Sequence, residues 1–211
     1  MIILYSGTPG SGKSLHCVKT IREYLLKGRL VVSNTYITMR EKNSGKIIFL
    51  SNEDITIDRL IKISKYWETQ KGRKLEEDEI LLVLDEAQLL FNTRTWQGDN
   101  RMAWISFFSQ HRKLGYQVCM IAQYIEMLDK QIRVLIEYDV KHRKVKNMGI
   151  WGRIFNLVGG GDLFIGVWYY QSLNLHLRRE FISQTPVHLL RVLREHSRFL
   201  RMMSPRSTRS R

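Results

Sequence analysis

The sequence predicts an α/β fold, with a mainly parallel central sheet flanked by helices. Three observations lead there. Short apolar runs without polar alternation recur at Ile2-Ile3-Leu4-Tyr5, Leu30-Val31-Val32 and Ile80-Leu81-Leu82-Val83-Leu84, the pattern of strands covered on both faces. Stretches with helical spacing lie between them, giving the order βαβα. A glycine-rich turn, Gly7–Gly12, joins the first run to the first helix.

Each element has its own signal. Leu15, Val18, Ile21 and Leu25 recur at helical spacing over residues 13–26, and Gly28 ends that helix. Residues 46–50 read as another strand. Ser51, with Asp54 at the capping-box offset, is expected to open a helix carrying Leu60, Ile61 and Ile63. Residues 68–79 read as a charged, flexible connection. The run 80–84 ends in Asp85-Glu86 and reads as a central strand. Residues 101–113 form a helix closed by Gly115, and 116–122 the next strand, ending in Gln123. After Gln123 the rhythm changes. Residues 125–133 read as a short helix, and 134–146 as an exposed, basic strand. Gly159-Gly160-Gly161 divides 150–158 from 163–170 as a hairpin would. The expected organisation is a core over 1–133, a small antiparallel, β-rich extension over 134–183, and a basic amphipathic C-terminal helix with a disordered tail over 184–211.

Composition bounds the function. Apolar residues make up 44% of 211 and charged ones 26%, which supports a real core and excludes a disordered chain. The net charge of +14 points to a polyanionic partner, nucleic acid or an anionic membrane face. Half of that excess falls in residues 176–211, with nine Arg against two Glu. Cys17 and Cys119 read as reduced core residues, and the six His show no metal-ligand spacing. The phosphate-loop pattern starts at Gly7, so no signal peptide is expected. The apolar stretch 154–170 is broken by glycines, so no transmembrane helix is expected either.

Gly7-Thr8-Pro9-Gly10-Ser11-Gly12-Lys13-Ser14 matches G-x-x-x-x-G-K-[ST] at every fixed position. The glycines let backbone N–H groups turn inward around phosphates, and the helix N-terminus faces them. Lys13 is expected on the β- and γ-phosphates and Ser14 on Mg²⁺. Asp85, ending a buried strand, is placed for the Mg²⁺ water shell. Glu86 can orient an attacking water, which a small-molecule kinase does not need. Gln123, at the end of the following strand, is a candidate for contact with the γ-phosphate or the water. No Asn-Lys-x-Asp motif occurs, so ATP is the expected nucleotide.

The strand–GTPGSGKS–helix start, Val32-Ser33-Asn34, the run ILLVLDEAQ, Phe107–Gly115 (FFSQHRKLG) and Ile121-Ala122-Gln123 resemble the zonular occludens toxin (Zot) family. That family includes the gene I assembly protein of filamentous phages, and its fold is similar to FtsK/HerA-type DNA pumps. The resemblance covers roughly residues 1–146. It implies a P-loop ATPase at the inner face of the host cytoplasmic membrane, driving phage assembly and extrusion. Implied partners are further copies of the chain in a ring, the phage single-stranded DNA or its coat complex, and a membrane-embedded assembly protein. Family members typically continue through a transmembrane helix. Without one here, anchoring is expected from another subunit or from the tail, and a toxin activity is not expected.

Related multimeric ATPases often complete each site with an arginine from a neighbour, and Arg112 and Arg133 are the candidates. For Arg112 the competing reading is a cation offsetting the dipole at a helix end. In the tail, Arg191, Arg194, Arg198 and Arg201 share one face of a helix expected over 186–203, with Leu189, Leu193 and Leu200 opposite. That helix would pack on the core, bind the anionic inner leaflet or touch DNA phosphates. Two functional alternatives to the extrusion motor stand: a nucleotide-switched nucleic-acid-binding adaptor, and a DNA-packaging translocase without a membrane role.

Overall fold

The computed structural model describes residues 1–39, 45–92, 99–147, 163–171, 175–183 and 190–192. The chain order is β1 (Ile2–Ser6), α1 (Lys13–Leu26), β2 (Leu30–Ser33), β3 (Ile37–Met39), β4 (Lys46–Phe49), α2 (Ile57–Lys71), β5 (Ile80–Leu84) and α3 (Asp99–Gln110). It continues with β6 (Tyr116–Ile121), α4 (Lys130–Leu135), β7 (Tyr138–Lys144), β8 (Leu163–Tyr170), β9 (Leu175–Ser183) and β10 (Leu190–Val192).

Eight strands form one sheet in the order β4-β2-β5-β6-β1-β7-β8-β9. Every pairing from β4 to β7 is parallel, while β7–β8 and β8–β9 are antiparallel. The expected α/β class with a mainly parallel sheet is therefore observed. The apolar runs are continuous because both faces are covered. Ile2, Leu4, Val32, Leu82 and Leu84 pack with Trp104, Phe108 and Ile132, from α3 and α4. Ile3, Tyr5, Val31, Leu81 and Val83 pack on the other face with Cys17, Ile21 and Leu25 of α1. Every residue of β5 is buried; each such aliphatic side chain stabilises the fold by about 1.5–3 kcal/mol. Cys17 and Cys119 are free and buried in this second layer.

Several expectations are corrected. The Ser51–Asp54 pair does form, with the Ser51 hydroxyl donating to Asp54 Oδ2 at 2.7 Å and accepting from Asp54 N at 3.2 Å. It closes a turn rather than a helix. The cap of α2 is Thr56, whose hydroxyl accepts from Arg59 N. The helix also runs on through Lys71, so residues 68–71 are helical and the connection begins at Gly72 in the left-handed region. Residues 101–113 are an α-helix only to Gln110, with His111–Leu114 tightening into a 3₁₀ turn before Gly115. The helix expected over 125–133 is two pieces, a 3₁₀ turn Ile125–Met127 and α4. The short strand β3 was not expected.

The largest correction concerns β7. Residues 134–146 were expected as an exposed strand of an antiparallel extension. Instead β7 lies inside the sheet, parallel to β1 on one side and antiparallel to β8 on the other. Its polar residues misled the reading because two of them are buried and paired: Asp139 accepts a hydrogen bond from Ser6 Oγ at 2.6 Å, and His142 contacts His16. In the tail, Leu190–Val192 is a strand, β10, antiparallel to β3. The helix expected over 186–203 does not hold at those residues, and its remainder lies outside the described residues, as do the stretch 150–158 and the glycine turn at 159–161.

Candidate nucleotide-binding site

The C-terminal ends of the parallel strands carry the site. Beyond β1 the chain turns through Gly7 (φ +139°), Gly10 (φ +75°) and Gly12 (φ +97°), angles that L side chains rarely adopt. Ser11 N donates to the Thr8 carbonyl at 3.2 Å, and Gly7 N donates to the Gln123 carbonyl at 3.0 Å. The Gln123 backbone thus tethers the start of the loop to the end of β6; this backbone role was not part of the reading of Gln123 as a phosphate contact. Gly12 caps α1 without a side-chain bond, so the first amides of the helix point into the loop, where an anion is favoured. Ser11 Oγ is buried and has no partner among the described residues. Lys13 Nζ donates to the Gly7 carbonyl at 2.6 Å and the Thr8 carbonyl at 3.1 Å, laying its ammonium across the loop carrying Thr8, Pro9 and Gly10. The orphaned hydroxyl, the turned glycines and this ammonium fit a nucleotide's phosphates.

Ser14 and Asp85 line the same small cleft, together with Thr35, Cys17 and Val83. Asp85 is fixed from both sides. Its N–H donates to Asn34 Oδ1 at 2.7 Å, and Asn34 Nδ2 donates back to the Asp85 carbonyl at 2.8 Å. The Asp85 carboxylate accepts from Thr35 Oγ1 at 3.2 Å and from Glu86 N at 3.0 Å. Glu86 sits in the left-handed region at φ +51°, unusual for a residue with a side chain and a frequent mark of a functional turn. The Gln88 amide donates to Glu86 Oε2, and Gln88 is itself buried with its Oε1 without a partner. The site residue missing from the sequence reading is Thr35, and Asn34 and Gln88 had entered only as part of a resemblance. Their signal was position, a few residues beyond the ends of buried strands β2 and β5.

The antiparallel strands also reach the loop. A Cβ on Gly7 would meet the His142 carbonyl at 2.6 Å, and one on Gly12 would meet the Phe164 ring at 2.6 Å. Behind the loop, Tyr5 stacks on His16 with centroids 4.4 Å apart. His142 Nδ1 lies 3.2 Å from the Ser6 carbonyl, so it donates there, and its Nε2 accepts from His16 Nδ1 at 2.9 Å. Burial pushes His16 down to about 4 and His142 down to about 3, so both are neutral near pH 7. His16 faces Glu180, which also binds Lys19 at 2.7 Å and accepts from Trp168 Nε1.

The two arginines sit elsewhere. Arg112 lies in the turn before β6, at the opposite edge of the sheet, 2.7 Å from Glu137. Glu137 in turn accepts from Ile2 N at the start of β1 and is held below the usual carboxylate range, despite burial, by the Arg112 guanidinium. Arg133 lies in α4, in a surface cleft with Glu126, Lys130 and Gln171. Neither side chain joins the site of its own chain among the described contacts.

With this geometry in place, likeness to known proteins is informative. Residues 1–167 match the family model of zonular occludens toxin (Zot). The chain is 30% identical over 176 residues to the gene 1 protein of Enterobacteria phage I2-2, covering 77% of this chain and 46% of that protein. With the gene 1 protein of Enterobacteria phage fd it shares 28% over 193 residues, 82% of this chain and 53% of that one. The chain therefore spans about half the length of the curated relatives it matches. In fold it is similar to the N-terminal domain of zonular occludens toxin from Neisseria meningitidis (TM-score 0.54, 16% identity, 85% of this chain and 92% of that one). It is also similar in fold to B204, the DNA-packaging ATPase of Sulfolobus turreted icosahedral virus (TM-score 0.52, 13% identity, 86% and 96%). The loop, the DEAQ segment and the sheet that carries them are those of a P-loop NTPase-like fold, and the chain belongs to the zonular occludens toxin (Zot) family.

Proposed function

We propose that this protein is a Mg²⁺-dependent ATPase that powers filamentous-phage assembly and DNA export at the host inner membrane. The observation that carries the chemistry is the pinned Asp85–Glu86 pair beside Ser14 and the phosphate loop. When bound, Mg²⁺ would be held by Ser14 and Asp85 with the phosphates, and would neutralise charge developing on the transferred phosphoryl group. Loop amides and Lys13 bind and orient the phosphates. Glu86 takes the proton of the attacking water, and Gln88 holds its carboxylate until then.

The assembly role is supported by identity to phage gene 1 proteins over 77–82% of the chain. Ring formation, contact with single-stranded DNA or its coat complex, and docking on a membrane-embedded partner or an anionic membrane surface belong to this reading. Among the described residues, no helix is long and apolar enough to cross a membrane.

Glu86→Gln tests the chemistry, because it removes one charge and keeps the shape. It should still bind ATP while turnover falls by about two to three decades, as groups that stabilise charge in such sites do. Lys13→Ala should lose nucleotide binding itself. Hydrolysis by Glu86→Gln at the wild-type rate would remove Glu86 as the base. Steady-state turnover with and without single-stranded DNA separates a motor from a nucleotide-switched adaptor, which would bind ATP without turning it over.

A further inference from the structure

We propose that the face of β7, β8 and β9 turned away from α1 is a binding surface for single-stranded nucleic acid. Residues at alternate positions share a face, and one face of these strands is already occupied: Val140 and Trp168 pack with α1. The register then places Lys141 and Arg179 on the two flanks of Val167, and Arg143 and Phe181 on the two flanks of Ile165. Lys141, Arg143 and Arg179 are exposed. Phe181 is 62% exposed, an unusual state for a phenylalanine in a strand. Lys141 Nζ lies 4.9 Å from the centre of the Tyr169 ring on the same face. Asp139, the acidic residue of this face in β7, is buried against Ser6 and contributes no outward repulsion.

Cations two residues apart on a strand are about 7 Å apart and stand on a hydrogen-bonded sheet. Such a surface attracts a phosphate backbone, and the exposed Phe181 ring beside the cations offers a base a place to stack. A duplex hides its base faces and could use only the charges. An acidic protein surface would likewise make no use of an exposed phenylalanine set among cations. The combination therefore favours a single strand. The surface also belongs to β7, whose His142 carbonyl abuts Gly7 of the phosphate loop, so a strand bound there lies on the element packed against the nucleotide site. The inference rests on the proposed function for its purpose only. Binding can be measured without nucleotide, so the two can fail separately.

The experiment is fluorescence anisotropy of a labelled oligothymidylate with the full chain, without nucleotide, over a series of salt concentrations. Phe181→Ala should weaken binding by about tenfold to a hundredfold, the range for loss of one stacked base. The pair Arg143→Gln and Arg179→Gln should lower the salt slope by about 1.4, from about 0.7 per lost phosphate contact on a single strand. Lys13→Ala should bind the oligonucleotide as wild type does, which separates this surface from the ATPase reading. All four positions are tested in folded protein, as judged by circular dichroism, with ATP binding as a second check on the two surface variants. Equal affinity for a duplex of the same length, with no effect of Phe181→Ala, would overturn the proposal. So would wild-type binding by all surface variants, or no binding by the wild type.

Discussion

The five strands β4-β2-β5-β6-β1 and the three strands β7-β8-β9 belong to one sheet but obey different rules. In the first group β2, β5 and β6 are buried on both faces, and their sequences are almost wholly apolar, with Ser33 ending β2 and Gln117 inside β6. In the second, one face rests on α1 while the other carries Lys141, Arg143 and Arg179 to the surface. The first group supplies the loop, Asp85 and Glu86. The second closes on that loop from the side, through the His142 carbonyl and the Phe164 ring. The nucleotide site is therefore framed by both groups, although its motif residues all come from one.

The strongest way to break that division is Gly12→Ala. Gly12 sits at φ +97°, and a Cβ there would press into Phe164 of β8. Left-handed backbone costs an L residue about 1–2 kcal/mol and overpacking adds about 1–3 kcal/mol. The expected loss is thus about 2–5 kcal/mol of unfolding free energy, with nucleotide binding lost as the loop distorts. Urea unfolding and a fluorescent ATP analogue measure both. Adding Phe164→Ala to Gly12→Ala should recover the steric part only, a positive coupling in a double-mutant cycle. Additive losses would mean that β8 does not press on the loop.

The two groups also differ in how far the sequence disclosed them. A strand covered on both faces is mostly apolar, so β1, β2, β5 and β6 could be read directly, even with Gln117 buried inside β6, and with them the phosphate loop and Asp85-Glu86. β7 could not. Its buried polar residues find partners far along the chain, Asp139 in Ser6 and His142 in His16, and no local pattern announces a partner more than a hundred residues away. Thr35 is similar, since its role comes from Asp85 behind a neighbouring strand, whereas Gln88 holds Glu86 only two residues away. The start of α2 failed for a different reason. Ser51 and Thr56 both offer a capping hydroxyl, and the bond made by Ser51 with Asp54 is satisfied in a turn.

Acid should act first where the two groups meet. An unfolded histidine titrates near about 6.5, whereas His16 and His142 titrate at about 4 and about 3 in the fold. Their folded values are depressed, so below about 6.5 the unfolded chain takes up protons that the folded chain refuses. Stability is fully present above that pH and is lost as pH falls toward 4, by about 1.4 kcal/mol per unit for each histidine at most. The groups facing the pair act in both directions: Glu180 of β9 favours the charged form of His16 and moderates the loss, while Lys19 of α1, Arg178 of β9 and Lys13 oppose protonation and deepen it. The urea midpoint, followed from pH 7 to pH 5, reads the slope. His16→Gln should flatten it by up to one proton, and an unchanged slope would remove the pair as its source.

The smallest expected effect lies at the far seam of the sheet, where Arg112 of the parallel group meets Glu137 at the entry to β7. Arg112 is 47% exposed, and solvent-screened pairs of this kind contribute about 0–1 kcal/mol. Arg112→Ala should therefore lower stability by less than about 1 kcal/mol. It should leave ATP affinity unchanged, since the residue sits at the sheet edge opposite the phosphate loop. An arginine that serves only the seam would have no further consequence. One that reaches the phosphates of a neighbouring subunit would lower turnover in the assembled protein and leave a dilute sample untouched. Specific ATPase activity against protein concentration separates the two, because only a contribution in trans depends on assembly. We expect the variant to fall below wild type as concentration rises. Curves that coincide at every concentration would leave Arg112 as the partner of Glu137 alone.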